Sequence, residues 1–354
     1  MSRNSDCSDA TTLKVAVVGA GISGLVCART LSDLGHQVRV IDKARGPGGR
    51  MSTRRADVLR YDHGAQYFTV SDPRFAAQIE SWQREGVVEP WDGTVVALEP
   101  GGTRSVGRTT VRFVGVPGMN AVCQRLADEF DVTLNTEIRG LDRHDGLWTL
   151  TDAEGTQFGA FDFVVVSAPA PQTEILLCER APKLAARAQQ VEMAPCWAVM
   201  VTFSQPLDLG WDAAFVSGSP LSWIARNASK PGRPDHESWV LHASPEWSRR
   251  FLELDPAAVS HRLVRAFCDA VGGIEPSHDH ADAHRWRFSL PVSPLPEICL
   301  IDADIGVATC GDWCGGPRVE GAFLSGLSVA HGIHARRPGA AHASNDESRS
   351  QGLE

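Results

Sequence analysis

The sequence predicts a two-domain α/β protein, and three observations predict it. A strand, glycine turn, helix and strand follow one another from Lys14; short, tryptophan-rich strands run from Pro171 to about Val292; and the chain then returns to a buried strand at Gly306–Cys310. The first and third features are assigned to one discontinuous domain, residues 13–72, 107–170 and 293–336, and an antiparallel sheet built from 73–106 and 171–292 to the second. A length of 354 residues suits two cores that share an interface better than one. The polar ends, 1–12 and 337–354, carry no periodicity and are expected to be disordered.

Taken in order, Lys14–Val18 is a short apolar run, Ile22–Leu34 reads as a helix and Gln37–Ile41 as a second strand. A glycine-rich segment follows, and Phe75, Ile79 and Trp82 fall at helical spacing within Asp72–Glu85. Another amphipathic helix lies between Gly118 and Phe130. Val132–Leu134, Leu147–Thr151 and Phe163–Ser167 read as strands, the last with the unbroken apolar run of a buried parallel strand. In the second domain Trp197–Phe203 and Trp239–His242 read as strands and Pro256–Val271 as a helix; a helix from about Glu320 to Ile333 closes the first domain.

Composition narrows the partners. The chain is 43% hydrophobic and 22% charged, which suits a globular protein, and its net charge of -9 disfavours a nucleic acid or an acidic membrane. A small-molecule partner is expected. No stretch approaches the ~20 apolar residues of a membrane span and no signal peptide is read, so a cytoplasmic location is expected. The nine cysteines contain no CxxC and are read as reduced, mostly buried side chains. His278, Asp279, His280, Asp282 and His284 are read as a solvated linker, and no metal is expected. The sequon Asn227-Ala228-Ser229, without a secretory signal, is read as accidental.

The chemistry begins at GAGISG, Gly19–Gly24, set between the first strand and the first helix. Gly19, Gly21 and Gly24 allow a tight turn and close approach of a pyrophosphate to the helix N-terminus at Ile22 and Ser23. Asp42 ends the second strand, where an acid accepts ribose hydroxyls. Together these mark a Rossmann-type dinucleotide unit, which FAD and NAD share.

Two distant segments decide between them. GPGGRMSTRR, Gly46–Arg55, follows Asp42 and Lys43, and GDWCGGPRVEGAFLSG spans Gly311–Gly326. Both resemble flavin motifs of the flavin amine oxidase superfamily. That resemblance implies non-covalent FAD, with Gly49, Arg50 and Met51 near the pyrophosphate and Asp312, after Gly311, near the ribityl or phosphate region. The helix start at Arg318, Val319, Glu320, Gly321 and Ala322 would face the flavin ring.

The segment Asp62-His63-Gly64-Ala65-Gln66-Tyr67-Phe68-Thr69, with LSWIARNASKPGR from Leu221, SWVLHASPEWSRR from Ser238 and AHRW from Ala283, is similar to the bacterial renalases over roughly Lys14–Arg336. The resemblance implies an FAD-dependent oxidase of dihydronicotinamide dinucleotides reduced at ring carbon 2 or 6, which returns NAD(P)+ and hydrogen peroxide with O2 as the second substrate. It also implies that Gly64, Ala65 and Gln66 approach the flavin, and that Gln66, Tyr67, Asn227, His242, Trp286 and Arg318 line the pocket.

The residues favour this over amine oxidation. Arg318 stands two positions before Glu320, where amine oxidases place an aromatic wall for a cation, and the chain has only Tyr61 and Tyr67 as tyrosines, although its ten tryptophans leave a tryptophan cage open. A cation there suits phosphates and repels an ammonium. Arg226, Lys230 and Arg233 either add to that positive charge or are solvated loop residues. Two alternatives stay open: an amine or other small-molecule flavin oxidase, and a non-catalytic dinucleotide-binding regulator. Oligomeric state is not legible in the sequence.

Overall fold

A computed structural model of the chain describes residues 12–107, 110–273 and 276–336. The expectation of disordered ends falls on 1–11 and 337–354, outside the described residues. Lys14–Val18 runs parallel to Gln37–Ile41 on one side and to Phe163–Val166 on the other, with Val15, Ala16 and Val17 fully buried. Only a strand covered on both faces tolerates such a run of apolar residues. The sheet has six strands, in the order 300–302, 307–309, 163–166, 14–18, 37–41 and 132–133. Its neighbours are parallel except Leu300–Asp302, which runs antiparallel to Val307–Thr309.

Helix Ile22–Asp33 leaves the glycine turn and packs along helix Arg318–Ala335. The approach is close because Gly326 lacks a side chain; a Cβ there would lie 2.1 Å from the Ser23 carbonyl oxygen. The C-terminal helix starts two residues before the Glu320 expected from the sequence, with Pro317 as its cap. A three-stranded sheet (Ile138–His144, Leu147–Asp152, Gln157–Phe161) and helices Ala170–Leu177 and Pro182–Gln189 complete this part of the molecule. The sequence reading foresaw only the middle strand of these. The outer strands are polar and largely exposed and the helices are two turns long, so neither carries a strong period.

The other large sheet has seven strands, in the order 278–291, 193–203, 238–243, 221–226, 213–216, 95–99 and 102–105. Its ladders are antiparallel except between Ala213–Val216 and Val95–Glu99, which are parallel. The expected antiparallel sheet is therefore mixed at this one joint, where a segment distant in sequence adds to the edge. The segment read as a solvated linker is also corrected: His278–Pro291 is a strand paired along its length with Met193–Phe203. Its histidines and aspartates conceal the alternation from a reading by hydrophobicity.

Register sorts this sheet into two faces. On one, Val96, Ala214, Ile224, Leu241, Val199 and Trp197 pack with helix Pro256–Ala270 in a dry core. On the other, cross-strand partners run Ala97, Phe215, Trp223, His242, Ala198 and His284. Residues opposite one another in a ladder share a face, so the rings of Trp223, His242 and His284 stand on the same side. That side faces residues 59–67.

Candidate functional site

The two glycine segments meet. Gly48 donates its N–H to the Ala20 carbonyl at 2.9 Å, and Gly49, at φ +52°, would carry a Cβ 3.4 Å from the Gly21 Cα. Gly24 sits against Gly19, where a Cβ would come within 2.1 Å of the Gly19 carbonyl oxygen. Gly21 is different: a Cβ there would touch nothing within 4 Å. Open space therefore lies before the first turn of the helix at Ile22 and Ser23, where unpaired N–H groups attract a phosphate. Asp42 is tied into the same turn, its two oxygens accepting from Ala20 N at 2.5 Å and Ala44 N at 2.6 Å. A carboxylate has lone pairs beyond these two, which a ribose could use. The residues fit an FAD-type dinucleotide. Lys43 is exposed and Met51 is buried.

Arg50 and Asp312 pair with one another, through two bonds of 2.7 Å, and Arg50 also donates to the Ser289 carbonyl at 3.0 Å. Two motifs 262 residues apart are thus joined by a bidentate ion pair. The Arg50 backbone meets the third motif: its carbonyl accepts from Ala65 N at 2.8 Å, and a Cβ on Gly64 would lie 2.0 Å from that oxygen. Val319 and Ala322 are buried, and Gly321 permits the tight start of the C-terminal helix. Glu320 accepts from Ser71 N at 2.6 Å and Asp72 N at 2.8 Å. Gly311 donates to Ser325 Oγ at 3.0 Å. Arg318 is exposed at the helix start, with φ +85°.

Beneath residues 62–67 lies a buried ion cluster. Asp62 accepts from Thr53 Oγ1 (2.8 Å), Met119 N (2.9 Å) and Arg233 (2.6 and 3.0 Å), with Lys230 Nζ at 3.6 Å. Burial opposes its charge, but the Lys230 and Arg233 cations hold its carboxyl below the usual range. Burial pushes Lys230 down to about 8 against the pull of Asp62. Lys230 donates to Gln66 Oε1 at 3.0 Å, and Gln66 Nε2 donates to the Asp62 and Gly64 carbonyls. The Gln66 amide is therefore spent on protein partners, and its place in the site is to shape the 62–67 segment. Asn227, fully buried, likewise accepts from Asp62 N and donates to the Arg60 carbonyl at 2.7 Å, so the sequon has no accessible acceptor. Arg226 pairs with Glu237 at 2.6 Å. Of the two sequence readings, that of solvated loop residues fails for Lys230 and Arg233, whose side chains are buried against Asp62, and Arg226 is paired with Glu237.

The ring-bearing face of the seven-stranded sheet closes over this segment. Trp286 Nε1 donates to the His63 carbonyl at 2.9 Å, and His242 Nε2 bonds the same oxygen at 3.2 Å. The rings of His63, His284 and Trp286 pack at 4.4–4.9 Å between centroids. Burial first, then neighbouring positive charge, lowers His63 to about 3; burial lowers His242 to about 4 and pushes His284 down as well. All three are neutral rings at neutral pH. Farther along, Tyr67 lies 5.5 Å from Trp223 and 6.1 Å from Trp91. His280 stacks on Tyr61 and Asp282 pairs with Arg54. Among the described residues no group of three or more His, Cys, Asp or Glu could hold a metal ion. The sequence reading missed His63, His284, Trp91 and Trp223; the period-two spacing of His280, Asp282, His284 and Trp286 was the available signal.

Two family models match the chain: an NAD(P)-binding Rossmann-like domain over residues 17–80, and a flavin containing amine oxidoreductase over residues 101–334. A 4,4'-diapophytoene desaturase (4,4'-diaponeurosporene-forming) of Staphylococcus haemolyticus (strain JCSC1435) is 40% identical over 72 residues, which are 20% of this chain and 14% of that protein. The corresponding enzyme of Staphylococcus aureus (strain Newman) is 35% identical over 60 residues, 17% of this chain and 12% of its own. The match thus spans a small part of these relatives. Among solved structures, a protein classed as a protoporphyrinogen oxidase from Exiguobacterium sp. 255-15 superposes with a TM-score of 0.74 at 14% identity, over 92% of this chain and 99% of that one. A wild-type putrescine oxidase bound to putrescine gives 0.67 at 15% identity, over 92% and 99%. At these identities the likeness is one of fold.

Proposed function

The chain belongs to the flavin-containing amine oxidoreductases and is an FAD-dependent oxidoreductase; on that footing we propose that it oxidises dihydronicotinamide dinucleotides reduced at ring carbon 2 or 6, yielding NAD(P)+ and hydrogen peroxide. The observation that carries this is the wall of neutral rings that Trp286, His284 and His242 form with His63 of the 62–67 segment. None of them is a useful base near neutral pH, since His63 and His242 are held at about 3 and 4. Asp62, Asp282 and Asp312 are each engaged by a cation. A dihydropyridine gives up hydride without losing a proton, and its product is aromatic, so such a site needs to orient a flat ring more than to move protons. An ammonium must first shed a proton before it can be oxidised, and no group on this wall is matched to take it.

Gly19, Gly21, Ile22, Ser23, Gly24 and Asp42 would hold the dinucleotide end of FAD, and the Arg50–Asp312 pair would stand beside its middle. When bound there, FAD would supply the hydride-accepting and O2-reducing chemistry. The residues of the chain fix the geometry of the ring-lined wall: both His242 and Trp286 tie down the His63 carbonyl, and Lys230 orients the Gln66 amide. Anaerobic mixing of the oxidised enzyme with the 2-, 4- and 6-dihydro isomers and with a panel of amines tests the reading. At least one of the 2- and 6-dihydro isomers should bleach the flavin on the order of 100-fold faster than the 4-dihydro form, whose hydride would be displaced from the acceptor by about an ångström or more in the same pose. Fast bleaching by an amine, with all three isomers inert, would overturn it.

A further inference from the structure

We propose that Lys230 and Arg112 set the charge selectivity of the site beside Tyr67, each laying its cation over one ring of the Tyr67–Trp91 pair so that neutral or anionic rings are admitted and cations refused. The proposal rests on the function proposed above and on Tyr67 lining its pocket, as the resemblance of the 62–69 segment implies. Lys230 Nζ is 5.9 Å from the centre of the Trp91 ring, and the Arg112 guanidinium carbon is 5.4 Å from that of Tyr67. The two rings are 6.1 Å apart, tilted by 40°, with Trp223 5.5 Å from Tyr67 on a further side. A group of aromatic rings is what a protein uses to hold an ammonium, because the ring faces attract positive charge. Here those rings already carry cations that belong to the protein.

The charge on Lys230 is not cancelled by its surroundings. One carboxylate, Asp62, faces two cations, and Arg233 takes the shorter bonds, 2.6 and 3.0 Å against 3.6 Å for Lys230. The side chains of Asp62 and Lys230 are fully buried, so water screens the excess poorly. With its titration lowered only to about 8, Lys230 remains an ammonium at neutral pH. A second cation brought to ~6 Å at an effective dielectric near 20 is disfavoured on the order of 100-fold. Arg112, half-buried on the Tyr67 side, adds to the same field.

The test compares a permanently charged probe, phenyltrimethylammonium, with its neutral isostere tert-butylbenzene. Both are titrated into the FAD-loaded full chain at neutral pH, and binding is read from perturbation of the flavin absorbance. The wild type should bind the neutral probe on the order of 100-fold more tightly than the cation. Lys230→Gln, which keeps a donor for Gln66, and Arg112→Gln should each shrink that preference about tenfold or more. If Lys230→Gln fails to fold, Arg112→Gln, whose side chain is not in the buried cluster, decides alone. An unchanged preference in the folded variants, or a wild type that prefers the cation, overturns the proposal. Turnover of the dihydro isomers by the same preparations separates it from the reading beneath it. Inert isomers with the expected preference would sink the dinucleotide reading alone, and active isomers with an unchanged preference would sink the charge selectivity alone.

Discussion

Replacing Asp42 with asparagine separates two roles that one carboxylate combines. In the free protein its oxygens accept from Ala20 N at 2.5 Å and Ala44 N at 2.6 Å, bracing the glycine turn to the end of the second strand. Asparagine offers one oxygen and one NH2, so one backbone N–H meets a donor in place of an acceptor. A hydrogen bond to a charged acceptor contributes roughly 1.5–3 kcal/mol, and the FAD-free protein should lose about that much stability. The same loss of charge weakens the bonds available to a ribose. At ~1.4 kcal/mol per tenfold, FAD affinity should fall roughly 10- to 100-fold. Quenching of FAD fluorescence by titrated apoprotein measures the second effect, and thermal melts of the apoprotein measure the first. A lowered melting temperature with unchanged FAD affinity would leave Asp42 as a turn brace and refute its assignment as a ribose acceptor.

Further outcomes follow from the buried groups. FAD should be held without a covalent link, because burial raises the thiols of Cys310 and Cys123 to about 11 and 12 and leaves little reactive thiolate; an acid-precipitated pellet should be colourless, and a yellow one would contradict this. Stability should fall in acid, since His63 and His242, at about 3 and 4, refuse in the folded state protons that the unfolded chain takes up below ~6.5. Their contribution is complete above that pH and declines as pH drops toward the folded values, by about 2 kcal/mol per histidine at pH 5. Melting temperatures equal at about pH 7.5 and 5 would be incompatible with neutral, buried rings. Asp62→Asn should cost about 3–5 kcal/mol, because it leaves Lys230 and Arg233 buried without their shared counter-charge; denaturant melts showing a change under ~1 kcal/mol would mean that water reaches the cluster.

Local chemistry made much of the molecule legible in the chain itself. The run Lys14–Val18, the glycines from Gly19 to Gly24 and the acid at Asp42 lie within thirty residues, and each acts through backbone geometry or a single charge. The dinucleotide unit could therefore be read before any contact was known, whereas the choice of FAD rested on the resemblance of Gly46–Arg55 and Gly311–Gly326 to flavin motifs. Likewise Phe75, Ile79 and Trp82, buried at 0–2% exposure on helix Pro73–Arg84, follow from helical spacing. What failed to show was any relation carried by register. The first half of strand His278–Pro291 is polar at alternate positions because its rings face residues 59–67 and not an apolar core, so its polar character made the His278–His284 cluster read as a linker.

The cations fail for a related reason. Lys230 and Arg233 pair with an acid far away in the chain, since Asp62 lies 168 residues before Lys230 and 171 before Arg233, and of the nearby acids Asp235 and Glu237 it is Arg226 that takes Glu237. The sequence by itself determined the dinucleotide turn and the buried strands, because propensity, spacing and fixed backbone needs are local, and the flavin motifs showed through their resemblance to a family. Only the tertiary structure decided which rings form a wall, that Gln66 and Asn227 are turned inward, and which cations stand over Tyr67 and Trp91. Those facts depend on strand register and on whether a charge finds its counter-charge across the fold, and neither is written in the order of the residues.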